Sequence, residues 1–385
     1  MLSPASVLAE ATERTGGLDD LGPGPFTDGL GVFAESLERD AALNEIGVFA
    51  ARERMITHVV NRLLYVRDRA VDPAVSQQRI VKPVFIIGMP RTGTTILHDI
   101  LAQDPASRAP LTWETMFPSP PPRSETYLTD PRIAQCEATF PDDDEFRKKF
   151  QAIHPMGAQL SQECVSLMGE TMRCPMFHNQ FRVPTYQDWV DACDFAPVYD
   201  FHLRQLQHFQ AHHELDRWVL KTGAHLWGLE HLLATYPDAR IVFTHRDPVK
   251  SMTSYASLTR VVREVTTDAP DPHEIAADWT PRLRRVLMHG IDVRESGHFP
   301  EARFMDVMFT DFVRDQFSVV ESIYETFDLD LTDDAATAMR AFIDDNPPGK
   351  HGSHDYSPDD YGLAPAEVRG DFADYIAHFD LTAED

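Results

Sequence analysis

The sequence predicts an α/β fold of three layers, in which helices flank a central parallel sheet. Four short, mostly apolar runs, each typical of a buried strand, lie at 84–87, 218–220, 241–244 and 302–309. Continuous apolar runs of this length are typical of parallel strands that are buried on both faces. Segments with helical spacing lie between these runs, and strands that alternate with helices indicate βαβ units.

Helical periodicity also precedes the first strand. Apolar residues recur at helical spacing over 32–70, so residues 1–80 are predicted to form a helical segment that packs on an α/β domain of residues 81–385. Further helices are predicted at 158–172, at 200–215, at 279–290 and from the fourth strand to about residue 328.

The charge of the chain limits its ligands. The formal net charge is −26 over 385 residues. A protein this acidic repels phosphate backbones, so nucleic acid is not expected as a partner. An anionic ligand must instead be held by a local cluster of cations that works against the global field. Arginines and lysines near a glycine-rich loop therefore point to a binding site.

The cysteines and the apolar runs predict a cytoplasmic protein. The four cysteines form no C-x-x-C pair, and a chain of this size needs no disulfide staples. There is no pattern of a secretory signal, and no stretch approaches about 18 uninterrupted apolar residues, so no membrane span is expected. Histidines and cysteines form no metal-binding pattern, and no metal is expected. A homodimer is compatible with the sequence.

The segment GMPRTGTT, residues 88–95, joins the first strand to a helix. Its glycines let backbone N–H groups approach an anion, which the first N–H groups and the dipole of the helix also favour. Arg91 adds a charge, and three threonines add hydroxyl donors. A triphosphatase loop has a lysine where Thr94 stands, and that lysine neutralises the β/γ-phosphates. The loop therefore predicts a site for a mononucleotide bound without metal.

A second motif, THRDPVKSMTSY, follows the third strand at 244–255. Asp247 is a typical helix cap with proline in the first turn after it, and Ser251, Ser254 and Tyr255 then share one helix face. Arg246 and Ser254 would hold one phosphate from two sides. The other interpretation is a surface Arg–Asp pair beside a capped helix, and periodicity alone leaves both open.

Together the two motifs resemble the sulfotransferases that use 3′-phosphoadenosine 5′-phosphosulfate (PAPS). R-T-G-T-T at 91–95 resembles their phosphosulfate loop, with arginine inside the loop as in the tyrosylprotein and bacterial branches. R-D-P-x-x-x-x-x-S at 246–254 resembles their 3′-phosphate motif. WVLKTGAHLWGL and GKHGSHDYSPDDYGL resemble further segments of the family, and the similarity runs from about residue 83 to residue 362.

The resemblance implies a P-loop-like fold and PAPS as the co-substrate, with no metal. It implies that the loop holds the 5′-phosphosulfate, while Arg246 and Ser254 hold the 3′-phosphate with help from Lys350 near the C-terminus. Phe309 occupies the place of a family tyrosine near the adenine, and the other interpretation is a core residue. The loop residues concerned are Arg91, Thr92, Gly93, Thr94 and Thr95.

In-line transfer of a sulfuryl group needs cations for the developing charge and a base for the acceptor's proton. The resemblance implies that Arg91 and Lys221 are the cations. It offers Glu114 as the first candidate for the base and His225 as the second. The other interpretations are a solvated loop carboxylate and a packed histidine at a helix start. His154 and Glu163 lie in a predicted helical region, and they would either line the acceptor pocket or have a structural role.

The sequence thus predicts a PAPS-dependent sulfotransferase with a hydroxyl acceptor, which would be a small molecule or a lipid such as a glycolipid. Two other classes remain open at this point. One is a P-loop nucleotide kinase or hydrolase, against which the missing loop lysine argues. The other is a non-catalytic relative that binds PAPS or lipid. The acceptor pocket is expected within 1–80, 115–215 and 262–300.

Overall fold

Five parallel strands form the centre of the protein. The computed structural model describes residues 2–140, 157–347 and 357–384. The strand order is β2-β3-β1-β4-β5, and every pairing is parallel. This sheet confirms the predicted fold class, although the two-residue strand β2 is not predicted from the sequence. The strands are β1 Val84–Gly88, β2 Ser107–Arg108, β3 Arg217–Lys221, β4 Arg240–His245 and β5 Phe304–Met308.

The strands alternate their side chains between two hydrophobic layers. All five residues of β1 are buried, and in register Val84 lies opposite Val219 of β3 and Arg240 of β4. Successive side chains of a strand point to opposite faces of a sheet. One layer therefore contains Phe85, Ile87, Leu220, Ile241 and Phe243, and the other contains Val84, Ile86, Val219, Val242 and Val307.

The N-terminal region is helical, but the expected helix over 32–70 is two helices. The chain turns at Ala42, which has a φ of 47°. Asn44 then caps the next helix, since its side-chain oxygen accepts a hydrogen bond from the N–H of Gly47 at 2.8 Å. Leu30 and Val59 belong to the hydrophobic layer that contains Phe85 and Ile87 of β1. The helices are α1 Pro4–Arg14, α2 Thr27–Asp40, α3 Glu45–Val71 and α4 Pro73–Gln77.

Short helices fill the long connection between β1 and β3. The helix predicted at 158–172 is one short helix, followed by a 3₁₀ turn at Gly169–Thr171. The helix predicted at 200–215 begins and ends earlier. The helices are α5 Thr94–Leu101, α6 Thr112–Met116, α7 Pro131–Glu137, α8 Cys164–Met168, α9 Met176–Gln180, α10 Pro184–Asp191 and α11 Ala196–Gln210.

Helices also follow each of the last three strands. The helix expected at 279–290 is longer, because Asp271 caps its start and Pro272 occupies its first turn. Among the described residues, no helix has both the length and the apolar character to cross a membrane. The helices are α12 Leu229–Thr235, α13 Pro248–Arg263, α14 Pro272–Glu295, α15 Phe309–Arg314, α16 Gln316–Thr326, α17 Asp333–Asp345, α18 Pro365–Asp371 and α19 Ala373–His378.

Candidate active site

The loop between β1 and α5 exposes backbone N–H groups at the edge of the sheet. Gly88 has a φ of 148°, and a Cβ there would lie 2.3 Å from the Oγ1 of Thr244, so only glycine lets the ends of β1 and β4 meet. Gly93, with a φ of 85°, precedes the helix. In the described part of the chain, the N–H groups of Gly93, Thr94 and Thr95 have no hydrogen-bond acceptor. N–H groups without acceptors at the start of a helix are the arrangement that typically binds an anion.

The side chain of Thr92 has partners within the protein. Its hydroxyl is buried and lies 2.7 Å from the carbonyl oxygen of Met89, to which it donates, and 2.6 Å from the hydroxyl of Thr244. These contacts fix the loop to the end of β4. A role for Thr92 in holding a ligand stays a prediction. Because its hydroxyl is buried, Thr92 would contact the ligand through its backbone.

The second motif meets the loop directly. The Nε of Arg91 donates to the Oγ of Ser254 at 3.0 Å, and the Nη1 of Arg246 donates to the carbonyl oxygen of Arg91 at 2.9 Å. Asp247 caps α13, with its Oδ1 2.9 Å from the N–H of Val249. Two motifs that lie about 155 residues apart in the chain therefore form one polar surface.

Phe309 lies beside both motifs at the start of α15. The guanidinium of Arg246 lies 3.8 Å from the centre of its ring, and a Cβ on Gly93 would be 3.1 Å from the ring edge. Glycine at position 93 therefore lets the aromatic ring pack against the loop. The ring lies where a nucleobase could stack, and contact with adenine stays a prediction.

A third group of polar residues lies at the end of β3. The Nζ of Lys221 donates to the Oγ1 of Thr95 at 3.1 Å and lies 2.5 Å from the Oε1 of Glu163. The other oxygen of Glu163 accepts from the hydroxyl of Thr222 at 3.1 Å. Lys221 is 2% exposed in its side chain, whereas the side chain of Glu163 is 25% exposed. Glu163 thus presents a carboxylate to solvent beside a buried cation.

Glu114 has internal partners. It is fully buried, forms an ion pair with Arg108, and accepts from the N–H of Leu111 at 2.8 Å and from the hydroxyl of Tyr127 at 3.4 Å. Burial raises the pKa of the carboxyl, against the effect of the guanidinium. Because an acceptor hydroxyl cannot reach a fully buried carboxylate, this geometry disfavours the predicted role of Glu114 as the base.

His225 is buried in the hydrophobic layer that contains Phe85 of β1. Its Nδ1 lies 2.9 Å from the hydroxyl of Tyr199, and its ring packs edge-on against Phe85. Burial lowers its pKa well below the usual value, so the imidazole is neutral at neutral pH. His225 is fully enclosed, and its role as the base is disfavoured for the same reason. Lys350 and His154 lie outside the described residues.

Comparison with known proteins decides the family. A model of the sulfotransferase family matches residues 83–333 of this chain. The chain belongs to the sulfotransferase family. The match confirms the resemblance that the motifs at 91–95 and 246–254 carry.

Solved structures of mycobacterial sulfotransferases are similar over nearly the whole chain. Sulfotransferase STF1 from Mycobacterium tuberculosis H37Rv is 31% identical with a TM-score of 0.83, and the match covers 97% of this chain and 98% of that one. STF9 from Mycobacterium avium is 26% identical with a TM-score of 0.87, over 100% and 98%. The N-terminal helices of this sulfotransferase are therefore part of the shared fold.

A curated relative matches over a shorter length. Omega-hydroxy-beta-dihydromenaquinone-9 sulfotransferase Stf3 of Mycobacterium tuberculosis (strain CDC 1551 / Oshkosh) is 26% identical over 243 residues. The match spans 59% of this chain and 58% of the relative, so it covers little more than half of either protein.

Proposed function

We propose that this chain transfers the sulfuryl group of PAPS to a hydroxyl acceptor. The observation that supports this most is the meeting of three strand ends in a protein of net charge −26. Arg91 lies in the loop after β1, Lys221 ends β3 and Arg246 follows β4. Lys221 donates a hydrogen bond to Thr95 at the start of α5, and Arg246 donates one to the carbonyl oxygen of Arg91. Ligands of open parallel sheets bind at this edge.

The proposed nucleotide contacts follow from this geometry. The N–H groups at 93–95, the hydroxyls of Thr94 and Thr95 and the guanidinium of Arg91 would hold the 5′-phosphosulfate. Arg246 and Ser254 would hold the 3′-phosphate, because Ser254 already contacts Arg91 and Arg246 contacts the same loop. Lys350 stays a prediction for the 3′-phosphate. PAPS, as the family's co-substrate, supplies the sulfuryl group that is transferred.

We assign the base to Glu163 rather than to Glu114 or His225. Its carboxylate is partly exposed and contacts Lys221, which in turn contacts the start of α5. In the transfer, the acceptor oxygen bonds to sulfur, the acceptor's proton goes to Glu163, and the bond from sulfur to the 5′-phosphate oxygen breaks. Lys221 and Arg91 stabilise the charge that grows on the departing phosphate, and adenosine 3′,5′-bisphosphate leaves.

A lipid-like alcohol is the acceptor class that we favour. Stf3 is described as a sulfotransferase of a menaquinone derivative. In this chain a cavity of about 500 Å³ borders α3, with Val60, Leu64, Met116, Phe117 and Pro120 among its lining. That volume and apolar lining are typical of small-molecule sites. Helix α6 connects this cavity to the segment of Glu163. Its last residue, Met116, lines the cavity, and the N–H of its first residue, Thr112, donates to the carbonyl oxygen of Leu160, three residues before Glu163.

Transfer of labelled sulfate from PAPS tests the proposed activity. We expect label to pass to long-chain or prenyl alcohols, and less to phenols and sugars. Lys221→Met is expected to lower the rate by about 10²–10³-fold, because a preorganised charge at the departing oxygen is lost. Lys82→Met, which changes an exposed lysine, serves as the matched control.

The outcomes of the transfer assay separate two claims. Transfer that is confined to phenols or sugars would contradict the acceptor class and leave the activity standing. If label reaches no hydroxyl of any class, or if Lys221→Met transfers as fast as Lys82→Met, the proposed activity or the role of Lys221 is wrong.

A further inference from the structure

The segment that follows α19 lies against the end of β4. The hydroxyl of Tyr375 accepts a hydrogen bond from the backbone N–H of Arg246 at 3.3 Å. The ring of Phe379 stacks on the imidazole of His245, with 3.7 Å between the ring centres. These two aromatic residues anchor residues 379–384, which we call the C-terminal segment, directly beside the proposed 3′-phosphate site.

Within this segment, the carboxylate of Glu384 forms an ion pair with the guanidinium of Arg246. Its carboxylate accepts from the Nε of Arg246 at 3.0 Å and from the Nη2 at 2.8 Å. The backbone N–H of Glu384 donates to the Oδ2 of Asp247 at 3.0 Å, an oxygen that also pairs with Arg369 at 2.8 Å. The remaining nitrogen, Nη1, already donates to the carbonyl oxygen of Arg91.

This carboxylate and a phosphate would use the same donors. Arginine binds carboxylates and phosphates through the same two-pronged edge, so one edge cannot hold both at once. The cavity that remains beside Arg246, Phe309 and Leu381 is about 60 Å³. Small-molecule sites typically have about 300–1,000 Å³, so the space left beside Glu384 is much smaller than a nucleotide site needs.

We infer that Glu384 is an internal competitor of the 3′-phosphate, which the nucleotide displaces when it binds. This inference rests on the proposed function. Displacement breaks the contacts of Glu384 with Arg246 and Asp247, while Arg369 still neutralises Asp247 and the aromatic anchors keep the segment close. Glu384 therefore lowers the affinity for nucleotides that carry a 3′-phosphate and speeds the release of adenosine 3′,5′-bisphosphate, without affecting nucleotides that lack the group.

Calorimetric titration with two nucleotides tests this role. The Kd of adenosine 3′,5′-bisphosphate and that of adenosine 5′-monophosphate are measured for the wild type, Glu384→Gln and Asp374→Asn. Asp374 is an exposed carboxylate in α19, so its change controls for the general loss of negative charge. In Glu384→Gln we expect the bisphosphate Kd to fall about three- to tenfold, since the site no longer has to release a charged internal ligand. The monophosphate Kd should not change, and Asp374→Asn should behave as the wild type.

Two results would overturn the inference, and they are distinguishable. If the wild type prefers the bisphosphate and Glu384→Gln leaves its Kd unchanged, Glu384 does not compete and the proposed function stands. If both the wild type and Glu384→Gln bind the two nucleotides equally, Arg246 does not hold a 3′-phosphate, and the proposed function fails together with the inference. Equal melting temperatures of the free variants establish that folding is intact.

Discussion

Glu163→Gln should lower the turnover number about 10²–10⁴-fold, the range typical for loss of a general base. Glutamine has nearly the same shape, but its amide cannot take the acceptor's proton. The affinity for adenosine 3′,5′-bisphosphate should change much less than the turnover number, because Arg246, Ser254 and the N–H groups at 93–95 are unchanged, while Lys221 loses its anion. The measurement is the rate of label transfer from PAPS under saturating conditions, with nucleotide affinity measured in parallel.

The control for Glu163→Gln is Glu137→Gln. Unlike Glu163, Glu137 lies outside the proposed site, at the end of α7. Its side chain accepts a hydrogen bond from the N–H of Ala158, so the change affects a local contact and leaves Lys221 untouched. A turnover number for Glu163→Gln within a few-fold of that of Glu137→Gln would show that another group is the base.

Glu114→Gln should instead act on stability. The change leaves Arg108 buried and without its anion, and breaking a buried ion pair in this way typically costs about 3–5 kcal/mol. We expect the free energy of unfolding, measured by chemical denaturation, to fall by about this amount. For Glu163→Gln we expect a smaller loss, because that carboxylate is partly exposed and Lys221 keeps its hydrogen bond to Thr95.

A double-mutant cycle identifies the source of this loss. Arg108→Met combined with Glu114→Gln removes the unpaired charge, so the double variant should lose less stability than the sum of the single changes. Additive losses would show that the ion pair does not couple the two residues. A Glu114→Gln variant that keeps wild-type stability and loses turnover would restore Glu114 as the base and contradict the assignment to Glu163.

The fold could be predicted largely because its strands have a clear sequence pattern. β1, β3 and β4 contain continuous apolar runs, which reflect burial on both faces of a parallel sheet, and β5 contains a mostly apolar run that is only partly buried. The remaining strand, β2, has two residues and no such run, so only its pairing with β3 defines it. Asn44, a favourable helix cap, indicates the break near Ala42. Because apolar residues continue at helical spacing on both sides of it, the sequence predicts a helix over 32–70 without this break.

The candidate site could be predicted in part for a similar reason. The carboxyl ends of parallel strands share one edge, so the sequence predicts that Arg91, Lys221 and Arg246 lie near each other. Glu163 was expected either to line a pocket or to be structural, because nothing in the sequence links it to Lys221, 58 residues later. The burial of Glu114 likewise depends on Arg108 and Tyr127, whose approach is a matter of tertiary packing.

The central claim is that the two motifs hold one nucleotide with a separate 3′-phosphate, and its most direct test is a comparison of ligands by calorimetry. The wild type should bind adenosine 3′,5′-bisphosphate more tightly than ATP, with or without Mg²⁺. Arg246→Ala should weaken bisphosphate binding by about 10–100-fold, as expected when charged hydrogen bonds are lost. Arg314→Ala, at an exposed arginine, should have no effect. Tighter binding of ATP with Mg²⁺, or an Arg246→Ala variant with unchanged bisphosphate affinity, would contradict the account and favour a kinase or hydrolase.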